Sequence, residues 1–391
     1  MVQIANGTVM TVVRQVADEL STRADAADKA GVLPAEDVAL LKESGYTGLS
    51  VPREFGGQGL SLRECVAAQL TLAQGSPSTA MVAAMTLQVM GHEREQRSWP
   101  AAMWARIATA VAQGALINSV ASEPLMGSPS RGSVFATTIT ADGDRLVING
   151  HKTWTTGGRH LDFLAVKAAY GAGESAGSAV VLVEKDTPGL RWVENWGEIA
   201  LGLRASDSHD LIFEQVRVPV DNLMARRDGA KSPNVWFPMM LTAVYLGAAI
   251  AARDTVIAYA LERVPTALGA PIATLPKIQR QIGEIDVQLQ AAQALLFEVA
   301  GLWHGPESAA VYPRVAAAKQ FCVEVATRVT GQALAVAGGA GLTRALPLER
   351  YFRDVQAGVA QPPAGDTAFE MVGKHAIGVY ESTRDGAVDE E

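Results

Sequence analysis

The stretch Arg145–Thr156, "RLVINGHKTWTT", decides the fold: its β-branched and aromatic residues and its period of two are those of a strand, and an Asp-Gly turn stands just before it at Asp142-Gly143. The same period returns in "FLAVKAAY" (163–170), "SAVVLVEK" (178–185) and "HDLIFEQVRVP" (209–219). Residues from about Leu116 to Pro219 therefore read as a small β-sheet or barrel. On either side the period changes to that of a helix. Upstream, "VVRQVADELSTRADAADKAG" (12–31) and "PAEDVALLKESG" (34–45) repeat apolar residues three and four apart, and each run stops at glycine. Downstream, "LTAVYLGAAIAARDTVIAYALERV" (241–264) and "IQRQIGEIDVQLQAAQALLFEVAGLW" (278–303) are long alanine-rich amphipathic runs that suit a bundle.

The 391 residues, 48% hydrophobic and 19% charged, suffice for two or three packed domains. A net charge of -8, with no dense Lys/Arg stripe, leaves no electrostatic footprint for phosphate backbones and argues against nucleic acid as a partner. Cys65 and Cys322 lie far apart in apolar helical segments, as small buried hydrophobes of a reducing compartment rather than a disulfide or metal site. The N-terminus has no basic segment followed by a long apolar core, and no run of about twenty uncharged apolar residues is of membrane-spanning type. The expected setting is the cytoplasm, without membrane insertion.

Helices, then strands, then helices is an uncommon order, and its joints carry distinctive words. "VPREFGGQGLS" (51–61), "ASEPLMGS" (121–128), "INGHKTWTT" (148–156), "GLRASDSHDLIFEQVRVP" (202–219) and "GGAGLTRALPLERYFRD" (338–354) follow one another in the order found in acyl-CoA dehydrogenases. The chain resembles that superfamily over nearly its whole length. The resemblance implies an α+β fold with a helical N-terminal domain (1–115), a central β-barrel domain (116–228) and a C-terminal four-helix bundle (229–391), with FAD between barrel and bundle. It also implies an acyl-CoA or acyl-carrier-protein substrate oxidised at Cα–Cβ, electron-transfer flavoprotein as the electron acceptor, and a homodimer or homotetramer.

Ser122, Trp154, Thr155 and Thr156 lie near predicted strand ends, where hydroxyls and amides can serve the polar edge of a flat heteroaromatic ring while an indole packs on its face. Alone, Trp-Thr-Thr is also an ordinary strand sequence. By resemblance, Ser122 and Thr156 contact the flavin ring, Trp154 packs beside it, and Ser128 lies toward the pyrophosphate or acyl carrier. In "ERVPTALGAPIATLPKIQ" (262–279) the resemblance gives Arg263 to the diphosphate of the neighbouring subunit's FAD, with Gln279 following, although Arg263 and Gly269 stand further apart than in the common pattern. Gly338 and Gly339 would let backbone approach adenine closely, but Ala335 replaces the usual glutamine ahead of them. Arg204 and Ser206 fall in the substrate-side segment.

The family's base, a glutamate a few residues beyond the Arg-Asp pair, is missing: its place falls on Pro362, and the alternative place on an earlier bundle helix falls on Phe237. Three residues stand as substitutes. Asp366 lies about one turn past the usual position, where it equally suits a helix N-terminus. His209, beside Asp207, can act as a base near neutral pH. His92 follows a helix that faces the site in relatives that hydroxylate. The tail "PPAGDTAFEMVGK" (362–374) resembles that of flavin-dependent hydroxylases of the same fold, which need reduced flavin, including FMN, from a flavin reductase, yet Phe369 stands where they carry a histidine. A flavin-binding member without turnover is the remaining reading.

Overall fold

The computed structural model describes residues 7–126, 134–171, 177–227 and 233–386. Six helices come first: α1 (Gly7–Ser21), α2 (Ala24–Ala30), α3 (Ala35–Glu43), α4 (Leu62–Gly75), α5 (Pro77–Gln96) and α6 (Ala101–Ala112). Local chemistry sets their ends: Ser61 and Glu64 cap α4 reciprocally, and Ser76 caps α5 ahead of Pro77. Eight strands follow, β1 (Ile117–Val120), β2 (Thr138–Asp142), β3 (Arg145–Thr155), β4 (Phe163–Tyr170), β5 (Gly177–Glu184), β6 (Leu190–Val193), β7 (His209–Pro219) and β8 (Leu223–Arg227), with the one-turn helix α7 (Trp196–Ile199) between β6 and β7. The chain ends in α8 (Trp236–Glu262), α9 (Pro276–Leu302), α10 (Tyr312–Ala337), α11 (Leu348–Ala360) and α12 (Gly365–Gly386).

The strands form one sheet in the order β6-β7-β3-β2-β4-β5-β8, with β1 added parallel to β4. This corrects the barrel expected from the sequence. Among the described residues no ladder joins β6 to β8, so the sheet is open, and β1 and β2 instead share one edge of β4. The α+β class and the helical segments on both sides stand. Closure is a property of shear and strand tilt, which a period of two does not encode.

Helix α8 is the axis of the helical part, packed against α4, α5, α9, α10 and α11. It is long and apolar enough to cross a membrane, but 78% of its most apolar window is buried within the protein. Close approach is built in: a Cβ on Gly247 would meet the Leu70 carbonyl oxygen at 2.5 Å, so only glycine lets α4 lie so near. The N-terminal helices and the bundle share one continuous apolar cluster.

Two adjacent residues on α11 tie three regions together. The Arg353 guanidinium donates to both carboxylate oxygens of Asp28, near the end of α2, at 3.1 and 2.7 Å, and to the Leu201 carbonyl at 3.0 Å. Asp354 accepts the backbone N–H of Leu203 at 2.6 Å. Arg350, one turn earlier and buried, donates to Asp25 at 2.7 Å. Burial pushes the Asp354 carboxyl up to about 6, against the pull of Arg350 and the Leu203 amide.

A raised folded-state value means that folding favours protonated Asp354. Its contribution is full below the unfolded value near 4 and is lost as pH rises through about 6. Asp354→Asn keeps an acceptor for Leu203 and removes the charge. The stability of the wild type relative to this variant should therefore fall by about 2 kcal/mol between pH 4 and pH 7, as read by urea unfolding at both pH values.

Candidate functional site

Strand β3 ends in the sequence Lys152-Thr153-Trp154-Thr155, and an ion pair beneath it sets its position. Lys152 is 0% exposed; its ammonium donates to Glu123 at 2.7 Å and to the Ala121 carbonyl at 3.1 Å, and it lies over the Phe135 ring. The Glu123 carboxylate also accepts the amides of Ala136 and Thr137 at 2.6 and 3.0 Å. Burial lowers Lys152 to about 8 in spite of its partner. Burial alone would raise Glu123, but the bonds from Lys152, Thr137 and Ala136 outweigh it and hold the carboxyl below its ordinary range. One more bond, from the Thr153 amide to the Ser122 carbonyl at 2.9 Å, fixes Ser122 against this strand end.

Two residues past Lys152, Trp154 takes a left-handed backbone conformation, φ 57°, and is 62% exposed. Positive φ is uncommon for a bulky residue and is held only by surrounding structure; here the Thr156 amide closes onto the Trp154 carbonyl at 2.9 Å. Thr156, Ser208 and Ser206 form a chain of hydroxyls with 2.8 Å links, and Asn118 donates to the Thr156 carbonyl at 3.0 Å. The hydroxyls of Thr153 and Thr155 and the Asn118 amide oxygen are buried without a hydrogen-bond partner. An exposed indole, a row of hydroxyls and orphaned buried polar atoms fit a flat ring with one apolar face and one polar edge. The residues present fit a flavin.

Arg204 opens a turn in which Leu203 and Asp207 also have positive φ, and it donates from Nε and Nη2 to the Gly197 carbonyl at 2.9 and 2.7 Å. Asp207 accepts the Leu33 amide at 2.9 Å, and the Nε2 atoms of His160 and His209 stand 3.8 Å from its two oxygens. Burial raises Asp207 and lowers His209. The Trp196 amide donates to Nδ1 of His209 at 3.2 Å, which places the proton of the neutral ring on Nε2. The lone pair that a base would use is already occupied.

The structure thus brings Ser122, Trp154, Thr155, Thr156, Ser206 and His209 into one connected region, with Arg204 on the same turn. His92 lies half-buried near the C-terminal end of α5, and Asp366 is exposed in the first turn of α12. Arg263 is exposed where α8 ends; Gln279 lies in the first turn of α9 and donates to the Ala273 carbonyl at 3.0 Å, so the two bracket one helix break closed by the Ile272 amide on the Arg263 carbonyl. Gly338 and Gly339 end α10 in open space, Gly338 with φ 59°. Ser128 lies outside the described residues. Sequence reading missed the Lys152–Glu123 pair. Its one signal was a lysine within a strand otherwise made for burial.

The three domain models of the acyl-CoA dehydrogenases match this chain in order: the N-terminal domain at 8–105, the middle domain at 119–216 and the C-terminal domain at 238–373. The putative acyl-CoA dehydrogenase YdbM of Bacillus subtilis (strain 168) is 35% identical over 371 residues, covering 94% of this chain and 96% of YdbM. The mitochondrial short-chain specific acyl-CoA dehydrogenase of Bos taurus is 29% identical over 383 residues, covering 93% and 88%. Among solved structures, KijD3 in complex with FMN and a dTDP-linked amino-keto sugar superposes with a TM-score of 0.83 at 25% identity, covering 97% and 95%.

Removing one partner of the buried pair isolates its role. Lys152→Met leaves Glu123 buried and uncompensated and should cost about 3–5 kcal/mol in urea unfolding. The double variant Lys152→Met/Glu123→Gln should recover a large part of that loss, because no bare charge remains; equal losses in single and double variants would mean that the pair does not act as a unit.

Proposed function

The chain belongs to the acyl-CoA dehydrogenase family, a flavin-dependent oxidoreductase of that fold, and from this premise we propose that it oxidises an acyl thioester at the Cα–Cβ bond with FAD. The observation that carries the reading is the exposed Trp154 on a strand end held by a buried ion pair, followed in the chain by Thr156, whose hydroxyl joins those of Ser208 and Ser206. A flavin held there would supply the acceptor for the hydride leaving Cβ. Trp154 packs against the ring, Ser122 and Thr156 orient its polar edge, and Arg204 and Ser206 border the substrate. Arg263, exposed at the helix break with Gln279, binds the diphosphate of a second copy's cofactor, and Gly338 and Gly339 leave room for its adenine, so the active form is a homo-oligomer. Electron-transfer flavoprotein then takes the two electrons.

The α-proton needs an acceptor on this chain. His209 has its basic nitrogen bonded to the Trp196 amide, whereas Asp366 is exposed in the first turn of α12, just past the turn that falls where relatives carry a carboxylate. We assign the proton to Asp366. A second reading, hydroxylation by reduced flavin and oxygen, is favoured by the likeness to KijD3, which binds FMN, and by the prolines at 362 and 363.

Anaerobic addition of a panel of acyl-CoAs to the flavin-loaded protein should bleach the oxidised flavin with at least one member. Failure across the panel, together with oxygen-dependent product formation by the reduced protein, would select the second reading. Asp366→Asn should keep flavin bound while slowing thioester-dependent reduction by roughly a hundred- to ten-thousand-fold, the range of general-base loss; unchanged reduction removes Asp366 from the mechanism. Arg263→Gln should weaken flavin binding by roughly tenfold or more in a fluorescence titration. A flavin-loaded monomer in light scattering would rule out the contribution from a second copy.

A further inference from the structure

Lys319, in the middle of α10, is a buried cation of a different kind from Lys152. Its side chain is about 1% exposed, and among the described residues no carboxylate pairs with it. Its ammonium donates instead to two backbone carbonyls, Gly358 at 2.8 Å and Gln361 at 2.7 Å. Both belong to the C-terminal end of α11, where carbonyls lack helical partners and the helix dipole presents partial negative charge. An apolar side chain of the same length would fill this space without the desolvation of a charge. What the charge adds is the hold on those carbonyls.

Two further side chains converge on the same connection. Tyr245 of α8 donates its hydroxyl to the Gln361 side chain, and Gln320 of α10 accepts the Gly365 amide at 3.1 Å. Gly358 is a glycine for the same reason: a Cβ there would meet the Tyr245 ring at 2.8 Å. Two bundle helices thus grip a connection that its prolines already stiffen. We propose that Lys319 is a positioning residue, whose charge fixes Gln361 and, through it, the start of α12 that carries Asp366. The proposal rests on the reading above that this turn borders the substrate.

Burial lowers Lys319 to about 8, with no charged neighbour offsetting it. The groups around it do not titrate in its place. Tyr245 on α8 and Cys322 on α10 are pushed up by burial. Asp354 on α11 faces Leu203, and Arg350 faces Asp25. Asp286 and Glu298 on α9 pair with Arg253 and Arg314, while on α12 Asp366 is exposed and Glu370 pairs with Lys374.

Amide hydrogen exchange on the flavin-loaded protein tests this directly. At pH 7 the amides of Gln361 and of Ala364 to Thr367 should be about tenfold better protected in the wild type than in Lys319→Met. Lys319→Arg, which keeps donors for both carbonyls, should retain most of that protection. With any thioester that reduces the flavin, Lys319→Met should slow reduction at saturating substrate while leaving flavin affinity unchanged. Protection in Lys319→Met equal to that of the wild type, or loss spread equally over α8 and α10, overturns the proposal; so does a wild type whose amides at 361 and 364 to 367 exchange as fast as those at the exposed end of α12, even if Lys319→Met fails to fold. Exchange does not depend on thioester turnover, so failure of the acyl-CoA panel alone would leave this result standing.

Discussion

The fold depends on an amide that has nowhere else to bond. Leu203 sits in a left-handed turn where its N–H meets no strand or helix, and it is buried. The acceptor supplied is the Asp354 carboxylate from α11, and a carboxylate there requires neighbouring cations, which Arg350 and Arg353 provide. Those arginines are in turn neutralised by Asp25 and Asp28 of the N-terminal helices. Each of the three regions supplies something the other two need. The turn so pinned runs on through Ser206 and Ser208 to the Thr156 hydroxyl, so the end of β3 inherits its position from a contact on a bundle helix.

The two buried lysines show how different solutions serve different ends. Lys152 meets a carboxylate, and the pair joins two segments distant in sequence into one rigid strand end. Lys319 meets only carbonyls, and burial lowers both lysines to about 8. Helices α8 and α10 can hold such polar groups in their midst because α8 buries nearly everything from Trp236 to Ala252 in apolar contact. Glu95 is a parallel case at the other end of α8, its oxygens taking the indole N–H groups of Trp236 and Trp303 at 2.9 and 3.0 Å.

Much of this was legible in the sequence, because periodicity is a local signal. The change from a period near four to a period of two placed the helices and the strands of the sheet, and the words around Ser122 and Trp154 fall at one strand end. What the sequence withheld is geometry between segments. Strand alternation looks the same in an open sheet and in a barrel, so the closure expected for residues 116–228 was a property that no single strand carries. The histidine of "RASDSHD" looked like a base until the Trp196 amide was found on its Nδ1 atom. Lys319 lies in "AAAKQF", a stretch indistinguishable from any helix with one exposed lysine.

An unclosed sheet has ends to defend. A free strand edge is an invitation for another chain to add itself, and long, flat, apolar edges lead to aggregates. Here the terminal strand β6 is only four residues long. Arg191, in its middle, is drawn across to Glu214 on the neighbouring strand at 3.1 Å. Just before it, Gly189 turns with φ 92° and gives its carbonyl to the Glu214 amide, so the strand leaves the sheet almost as soon as it joins. The protein thereby keeps an open architecture while offering passing strands too short and too charged a template for growth.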